Sequence, residues 1–194
     1  MIDSNINKYI DNNNVLEIYS KSRDNFEFED FILGFIVSEK DNYLLIETID
    51  DSGLLDSYTL LLKSDISKIS SDTNYTNVFT HYVNSNKKND IYDPFELKKE
   101  MSSIRNKKLD DIIQTFLSNR KVISLCTSVD ENFHKGNIIA YDKNHIVLDE
   151  ERYQQTFESE IQEKNNLIKL DTITAFDLLS KENKLYEQYL NKDI

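Results

Sequence analysis

Glycine, proline and cysteine are scarce in this chain of 194 residues, which has 3 Gly, 1 Pro and 1 Cys. So few glycines and prolines exclude collagen-like, glycine-rich and proline-rich architectures. Neither a GxGxxG nor a GxxxxGK motif occurs, so the phosphate-binding loops of dinucleotide-binding and P-loop enzymes are excluded. The single thiol, Cys126, has no partner for an internal disulfide, which fits a reducing compartment.

Long hydrophobic runs are also missing. The most apolar stretch, from Phe31 to Val37, has seven residues, whereas a helix needs ~20 to span a bilayer. The N-terminal residues lack the basic region and the apolar stretch of a signal peptide. We therefore expect a soluble, cytoplasmic protein without a membrane partner.

Basic residues are outnumbered, because 23 Lys and Arg face 35 Asp and Glu and the formal net charge is −12. This balance disfavours nucleic acid as a partner, since neutralisation of phosphates by Lys and Arg supplies most non-specific affinity. Hydrophobic residues make up 39% of the chain and aromatic residues 11%. The composition therefore predicts a folded protein with an acidic surface rather than a disordered one.

Two parts of the chain resemble each other in sequence. A shift of 107 residues aligns apolar positions at both ends of the repeat, and a shift of 102 aligns its middle. Aligned pairs include Ile6/Ile113, Tyr9/Phe116, Val15/Val122, Ile18/Leu125, Gly34/Gly136, Ile36/Ile138, Leu44/Ile146, Ile46/Leu148, Ile66/Ile173, Phe79/Tyr186 and Tyr82/Tyr189. The register in which residues 50–65 align with residues 150–170 stays open. We infer an internal repeat.

Each copy predicts the same order of elements: an amphipathic helix, five short strands and a closing helix. The strand-like runs lie at 15–19, 31–37, 43–49, 58–62 and 66–69, and again at 122–126, 136–141, 145–149, 167–170 and 172–176. The closing helices carry apolar side chains at helical spacing, which predicts that they belong to the core. These are Tyr75, Val78, Phe79 and Tyr82 in the first copy, and Leu185, Tyr186, Tyr189 and Leu190 in the second.

The segment between the copies also has helical features. Asp93 followed by Pro94 is typical of a helix start, and Leu97, Met101 and Ile104 then mark one helical face. We expect two copies, at residues 1–88 and 108–194, joined by a helical linker at residues 89–107.

The segment from Gly136 to Leu148 reads Gly-Asn-Ile-Ile-Ala-Tyr-Asp-Lys-Asn-His-Ile-Val-Leu. It resembles the first signature segment of the Sm-like small β-barrels, in which a strand bends at Gly, reaches an Asp, turns and returns as another strand. The resemblance implies an α+β, mainly β fold class: two tandem five-stranded Sm-like barrels, each flanked by short helices. It also implies candidate interaction residues in the loop, namely Asp41, Asn42, Asp142 and Asn144.

The family's second signature segment, which has Arg-Gly near its end, has no counterpart here. Residues 63–66 read Lys-Ser-Asp-Ile and residues 170–173 read Leu-Asp-Thr-Ile. RNA binding is therefore not implied with the same strength as the fold.

Residues that could perform catalysis are scattered. His81, His134 and His145 have neither metal-ligand spacing nor a position near Cys126, which favours exposed or capping histidines and a packed thiol. The acidic clusters Asp50-Asp51 and Asp149-Glu150-Glu151 fall in the same loop of both copies. They could hold a hard cation, but a solvated loop is the preferred interpretation. We predict no catalytic, cofactor-binding or metal-binding residues.

The leading functional hypothesis is a non-enzymatic interaction or scaffold protein that binds an unidentified protein partner. Self-association through the edge strands of the barrels would be compatible with it. Two alternatives remain open at this point: an RNA-binding protein with a local basic face, and a protein that binds a small ligand between the copies.

RNA binding provides a test of the charge argument. Because the chain carries a net charge of −12, we expect its dissociation constant for uridine-rich RNA to be ~10⁻⁴ M or weaker at physiological salt. The measurement is a fluorescence-anisotropy titration across salt concentrations. Nanomolar binding that persists at about 200 mM salt would contradict this expectation.

Overall fold

The computed structural model describes residues 6–10, 14–25, 31–131, 133–157 and 165–191. The strands are β1 (Leu16–Ser20), β2 (Ile32–Lys40), β3 (Tyr43–Ile49), β4 (Leu55–Leu62), β5 (Ile66–Ser70), β6 (Val122–Thr127), β7 (Phe133–Tyr141), β8 (His145–Asp149), β9 (Asn165–Lys169) and β10 (Ile173–Ser180). The helices are α1 (Asn7–Ile10), α2 (Lys21–Asn25), α3 (Asn74–Lys88), α4 (Leu97–Ile104), α5 (Leu109–Asn119), α6 (Glu151–Phe157) and α7 (Lys181–Leu190). In the described part of the chain, no helix is both long enough and apolar enough to cross a membrane.

All ten strands belong to one open antiparallel sheet, in the order β5-β1-β2-β3-β4-β10-β6-β7-β8-β9. At its centre, Leu60 and Leu61 of β4 lie opposite Phe176 and Ala175 of β10. The prediction of two tandem small barrels, and with it the Sm-like barrel architecture, is therefore wrong. The physical reason is that β4 and β10 satisfy each other's backbone hydrogen bonds, so the two sets of strands continue as one sheet.

The two halves of this sheet nevertheless have the same internal strand order, which places the fifth strand beside the first in each half. A bulge interrupts the pairing of β2 with β3, and another interrupts that of β7 with β8. A Cβ atom on Gly34 would lie 2.2 Å from the Glu47 carbonyl oxygen, and one on Gly136 would lie 2.2 Å from the Asp149 carbonyl oxygen. In both halves the second and third strands therefore approach each other so closely at this position that only glycine leaves enough room.

The sheet has two covered faces. The α4 face packs against α3, α4 and α5, and its buried cluster includes residues of both halves: Val15, Leu33, Leu45, Leu60, Phe79, Val83, Leu97, Met101, Ile112, Phe116, Ile123, Leu125, Ile138 and Phe176. The opposite face, the α7 face, packs against α1 in the first half, where Leu16, Ile18 and Ile36 are buried. In the second half the side chain of Ser124 points to the α7 face, because side chains alternate along a strand, and it hydrogen-bonds to Asn183 of α7.

The segment 89–107 covers the sheet instead of linking two separate units. The side chains of Leu97, Met101 and Ile104 are buried, and α4 contacts both β4 and β10. The predicted apolar helix face is confirmed, but the predicted linker role is wrong. The helix also begins at Leu97 and not at Pro94, because the Asp93 carboxylate accepts the backbone N–H of Leu97 at 2.8 Å.

The closing helices bury fewer aromatic side chains than their spacing predicts. Phe79 and Tyr186 are buried, whereas Tyr75, Tyr82 and Tyr189 are 46%, 42% and 52% exposed. Val78 and Leu185 are exposed as well. The prediction that all these side chains belong to the core is wrong for the outer positions, because a helix lying on one face of a sheet buries only its inner stripe.

The close approach of β7 and β8 at Gly136 can be tested. We expect Gly136→Ala to lower the free energy of unfolding by at least about 2 kcal/mol, because its Cβ would collide with the backbone of Asp149. Urea denaturation gives the value, and Asn84→Ala on the exposed surface of α3 is the control, with an expected change within about 0.5 kcal/mol. Equal effects of the two substitutions would show that the strands do not approach each other so closely.

Candidate functional site

The four candidate interaction residues lie in two turns that are far apart. Asp41 and Asn42 precede β3, whereas Asp142 and Asn144 follow β7. Four successive antiparallel pairings connect β3 to β7 through β4, β10 and β6, so β3 and β7 run in the same direction. One turn therefore precedes its strand and the other follows its strand, so the two turns lie at opposite ends of the strands. The structure does not bring the four residues together.

Within their turns these residues shape the backbone. Asp41 has a left-handed conformation with φ 49°. The carbonyls of Asn42 and Asn144 each accept an N–H bond of 2.8 Å from the residue that directly follows the fourth strand of the half. The Asp142 carboxylate accepts the N–H groups of Asn144 and His145, and these two bonds lower the pKa of Asp142.

One histidine departs from the prediction. His134 is buried, and its two ring nitrogens each lie 3.3 Å from a carboxylate oxygen, one of Asp130 and one of Glu150. The Glu150 hydrogen bond raises the pKa of His134 more than burial lowers it. The imidazolium form therefore stabilises the fold at low pH, and this contribution is lost as the pH rises through the folded-state pKa. Glu150 is also buried, so the prediction of a solvated loop is wrong for this residue.

The other candidate groups behave as structural residues. Burial raises the pKa of the Cys126 thiol to about 12, which agrees with the predicted packing role. The Asp50 carboxylate accepts N–H bonds from Ser52 and Leu54 and lies 2.7 Å from the Lys181 ammonium. Within the described ranges, no group of three or more His, Cys, Asp or Glu side chains is arranged to hold a metal ion.

A row of polar side chains crosses the centre of the sheet on the α7 face. The Thr59 hydroxyl of β4 donates a 2.5 Å hydrogen bond to Asp177 of β10, and Asp177 lies opposite Ser124 of β6. Ser124 in turn lies opposite Lys135 of β7, whose fully buried ammonium is 2.7 Å from a carboxylate oxygen of Glu182. Burial raises the pKa of Asp177 to about 6. The row therefore places an easily protonated acid on β10 and a buried cation on β7, with β6 between them.

A groove of about 1060 Å³ lies beside this row, on the α7 face of the second half. The strand register sets Val122, Asn137 and Asp149 side by side on β6, β7 and β8, where they line the groove. The other lining residues are Ile138 and Ile139 of β7, Arg152 of α6, Glu187, Leu190 and Asn191 at α7, and Leu117, Asn119, Arg120 and Lys121 at the C-terminal end of α5. The groove is therefore lined by both apolar and charged side chains.

Some of the charges in this groove neutralise each other. The Lys121 ammonium lies 2.6 Å from a Glu100 oxygen and 3.2 Å from a Glu187 oxygen. Burial disfavours the charged form of Lys121, but the two carboxylates outweigh it and raise the pKa. By contrast, no described residue forms a hydrogen bond or an ion pair with the Arg120 guanidinium or the Asp149 carboxylate.

The corresponding place in the first half has the same framework. Phe35 and Glu47 are register partners on β2 and β3, as Asn137 and Asp149 are on β7 and β8. The backbone N–H of Val15 donates to the Thr80 hydroxyl of α3 at 3.3 Å. Val122 is the repeat equivalent of Val15, and its backbone N–H likewise donates to the carboxylate of Glu187 on α7 at 2.9 Å. The two positions can therefore be compared directly.

In the first half this place is filled by the chain itself. The Tyr92 hydroxyl donates to one Glu47 oxygen and the Tyr58 hydroxyl donates to the other, both at 2.7 Å. The Lys98 ammonium lies 3.5 Å from Glu47, and that of Lys87 lies between the rings, 4.7 Å from the Tyr92 centroid and 4.9 Å from the Phe35 centroid. Burial and the Glu47 charge raise the pKa of both tyrosines, so they remain hydrogen-bond donors.

The residues of the groove were not among the candidates predicted from sequence, although a signal existed. At the shift of 102, Lys135 replaces Leu33 and Asn137 replaces Phe35. Two polar side chains thus stand where the first copy has apolar ones. This replacement could have indicated that the second copy carries a more polar and differently covered surface.

The raised pKa of Asp177 predicts that replacing its carboxylate with a neutral side chain increases the free energy of unfolding in a pH-dependent way. Because the folded-state pKa is about 6 and the ordinary value is 3.8, ionisation of Asp177 opposes folding, and the penalty grows as the pH rises from about 4 to 6. We expect Asp177→Asn to raise the free energy of unfolding by about 1–3 kcal/mol at pH 7.5 and to change it little at pH 4. Urea denaturation at both pH values measures this effect.

The control for this experiment is Asp171→Asn, which removes an exposed carboxylate from the 3₁₀ turn Leu170–Thr172. This control substitution should cause no comparable increase in the free energy of unfolding at pH 7.5. A loss of stability in Asp177→Asn at pH 7.5 would contradict the assigned burial of the charge.

Comparison of the chain with protein-family models, with curated proteins and with solved structures found no significant match. The likeness to Sm-like proteins stays a prediction from the segment Gly136 to Leu148, and the barrels that it implied are not present in the described residues. No family is assigned, and the function has to be inferred from the geometry of the groove.

Proposed function

We propose that this chain is a non-enzymatic interaction protein that binds a segment of a partner protein in the groove between α6 and α7. One observation carries the proposal. The equivalent place in the first half is filled by residues 89–104 of the chain itself, whereas the place in the second half is a groove of about 1060 Å³ that no described segment fills. A polypeptide segment is thus the type of ligand that this framework already accommodates.

The lining of the groove supports a peptide ligand. Leu117, Val122, Ile139 and Leu190 provide apolar surface, and Ile139 is 46% exposed. Arg120 and Asp149 add one charge of each sign at fixed positions. A mixture of apolar area and a few placed polar groups is typical of sites that combine affinity with specificity.

Two further expectations accompany this function. The outer sides of β5 and β9 pair with no other described strand, and the β4–β10 pairing supports self-association through these edges as an additional mode. A reducing, cytoplasmic compartment suits the single thiol of Cys126.

The groove can be tested with a labelled synthetic peptide that corresponds to residues 89–106 of this chain. We expect saturable binding to the full-length protein, measured by fluorescence anisotropy. Ile139→Glu should weaken binding at least about tenfold, because it places a charge on the apolar wall of the groove. Val129→Glu is the matched control, since Val129 is 68% exposed and does not line the groove.

The result expected for the control is an unchanged dissociation constant. Two outcomes would overturn the proposed function: absence of saturable binding to the unsubstituted protein, or equal weakening by Ile139→Glu and Val129→Glu. Thermal unfolding of each variant, monitored by circular dichroism, separates loss of binding from loss of fold.

A further inference from the structure

The groove also has a specific chemistry. We infer that its occupant is an acidic segment that contains a tyrosine, with the tyrosine hydroxyl donating to Asp149 and a neighbouring carboxylate pairing with Arg120. This inference rests on the proposed function and defines the class of partner. It depends on the contrast between Glu47 and Asp149, on the Arg120 guanidinium that no described side chain pairs with, and on the distribution of charge in the chain.

The Asp149 carboxylate differs from its counterpart in the first half. Its counterpart Glu47 receives two tyrosine hydroxyls and a lysine ammonium, whereas Asp149 receives no hydrogen bond from a described residue. An occupant that covers Asp149 removes water from it, and a carboxylate without donors is costly to bury. The occupant therefore has to bring a donor to this position.

The charge in the groove favours an uncharged donor. The Arg120 guanidinium lines the same groove and has no partner among the described side chains, so a lysine or arginine of the partner beside it would be repelled. A phenol donates without a positive charge. Its ring also suits apolar neighbours such as Val122 and Leu190. Tyr92 provides this combination in the first half.

Arg120 provides a second binding group in the groove. This exposed residue is the C-cap of α5 in a left-handed conformation with φ 50°, and its carbonyl accepts a hydrogen bond from the Asn137 amide. The residue is therefore held at the groove by its backbone, and its guanidinium has no partner among the described side chains. Among protein side chains, a carboxylate matches a guanidinium through two parallel hydrogen bonds.

The chain's own segment shows that tyrosine and acid can be combined in one ligand. Tyr92 is followed directly by Asp93 and preceded by Asp90. The whole chain carries a net charge of −12, so most of its surface repels an acidic segment. The Arg120 guanidinium would then direct such a segment to the groove, which provides specificity as well as affinity.

The experiment uses the full-length protein and three peptides of residues 89–106: the parent, a Tyr92→Phe version, and a version with Asp90, Asp93 and Glu96 changed to amides. We expect each change to weaken binding by roughly threefold to tenfold, the loss of one hydrogen bond or ion pair. In the protein, Asp149→Ala should abolish the difference between the parent and the Tyr92→Phe peptide. Arg120→Asn, which tolerates the left-handed backbone, should abolish the difference between the parent and the amide peptide.

Matched controls are Asp171→Ala and Lys143→Asn, which remove one exposed charge of each sign outside the groove. Both should preserve the differences among the three peptides. If all three peptides bind equally while Ile139→Glu still abolishes binding, the inferred chemistry is wrong but the proposed function stands. If no peptide binds saturably, the proposed function itself fails, and the inference fails with it.

Discussion

The antiparallel pairing of β4 with β10 is the contact on which the rest of the molecule depends. It lets ten strands continue as one sheet, so the apolar side chains of both halves merge into one cluster on the α4 face. Helix α4 covers this pairing on that face, while α7, which directly follows β10, lies over the second half on the other. Without the pairing, both strands would expose unsatisfied backbone groups and α4 would have no apolar surface to cover.

The row of polar side chains crosses the sheet at the pairing of β4 with β10. Where the sheet passes from one half to the other, Thr59, Asp177 and Ser124 stand in line on the α7 face, and Lys135 continues the line. Thr59 donates to Asp177 and Ser124 to Asn183 of α7, while the Lys135 ammonium forms an ion pair with Glu182 of the same helix. A buried polar network of this kind contributes little net stability, but it restricts the register in which the strands can pair.

The two halves differ mainly in what covers the third strand. Glu47 is covered by Tyr92 and neutralised by hydrogen bonds, and it therefore has a structural role. Asp149 occupies the same position on the framework but lies in an open groove with Arg120 nearby. The same backbone arrangement thus provides a closed surface in one half and an accessible one in the other, and the difference arises from the segment that follows α3.

Local pattern in the sequence determined the elements. Strand-like apolar runs such as 43–49 and 145–149 became strands, and the i, i+4, i+7 spacing of Leu97, Met101 and Ile104 became the buried face of α4, because these patterns depend only on neighbouring residues. Only the tertiary structure decided that β10 pairs with β4, that Glu150 and His134 are buried, and that Arg120 and Asp149 face one groove. These outcomes depend on contacts between residues far apart in the chain, and no local periodicity encodes which distant strand will satisfy an edge.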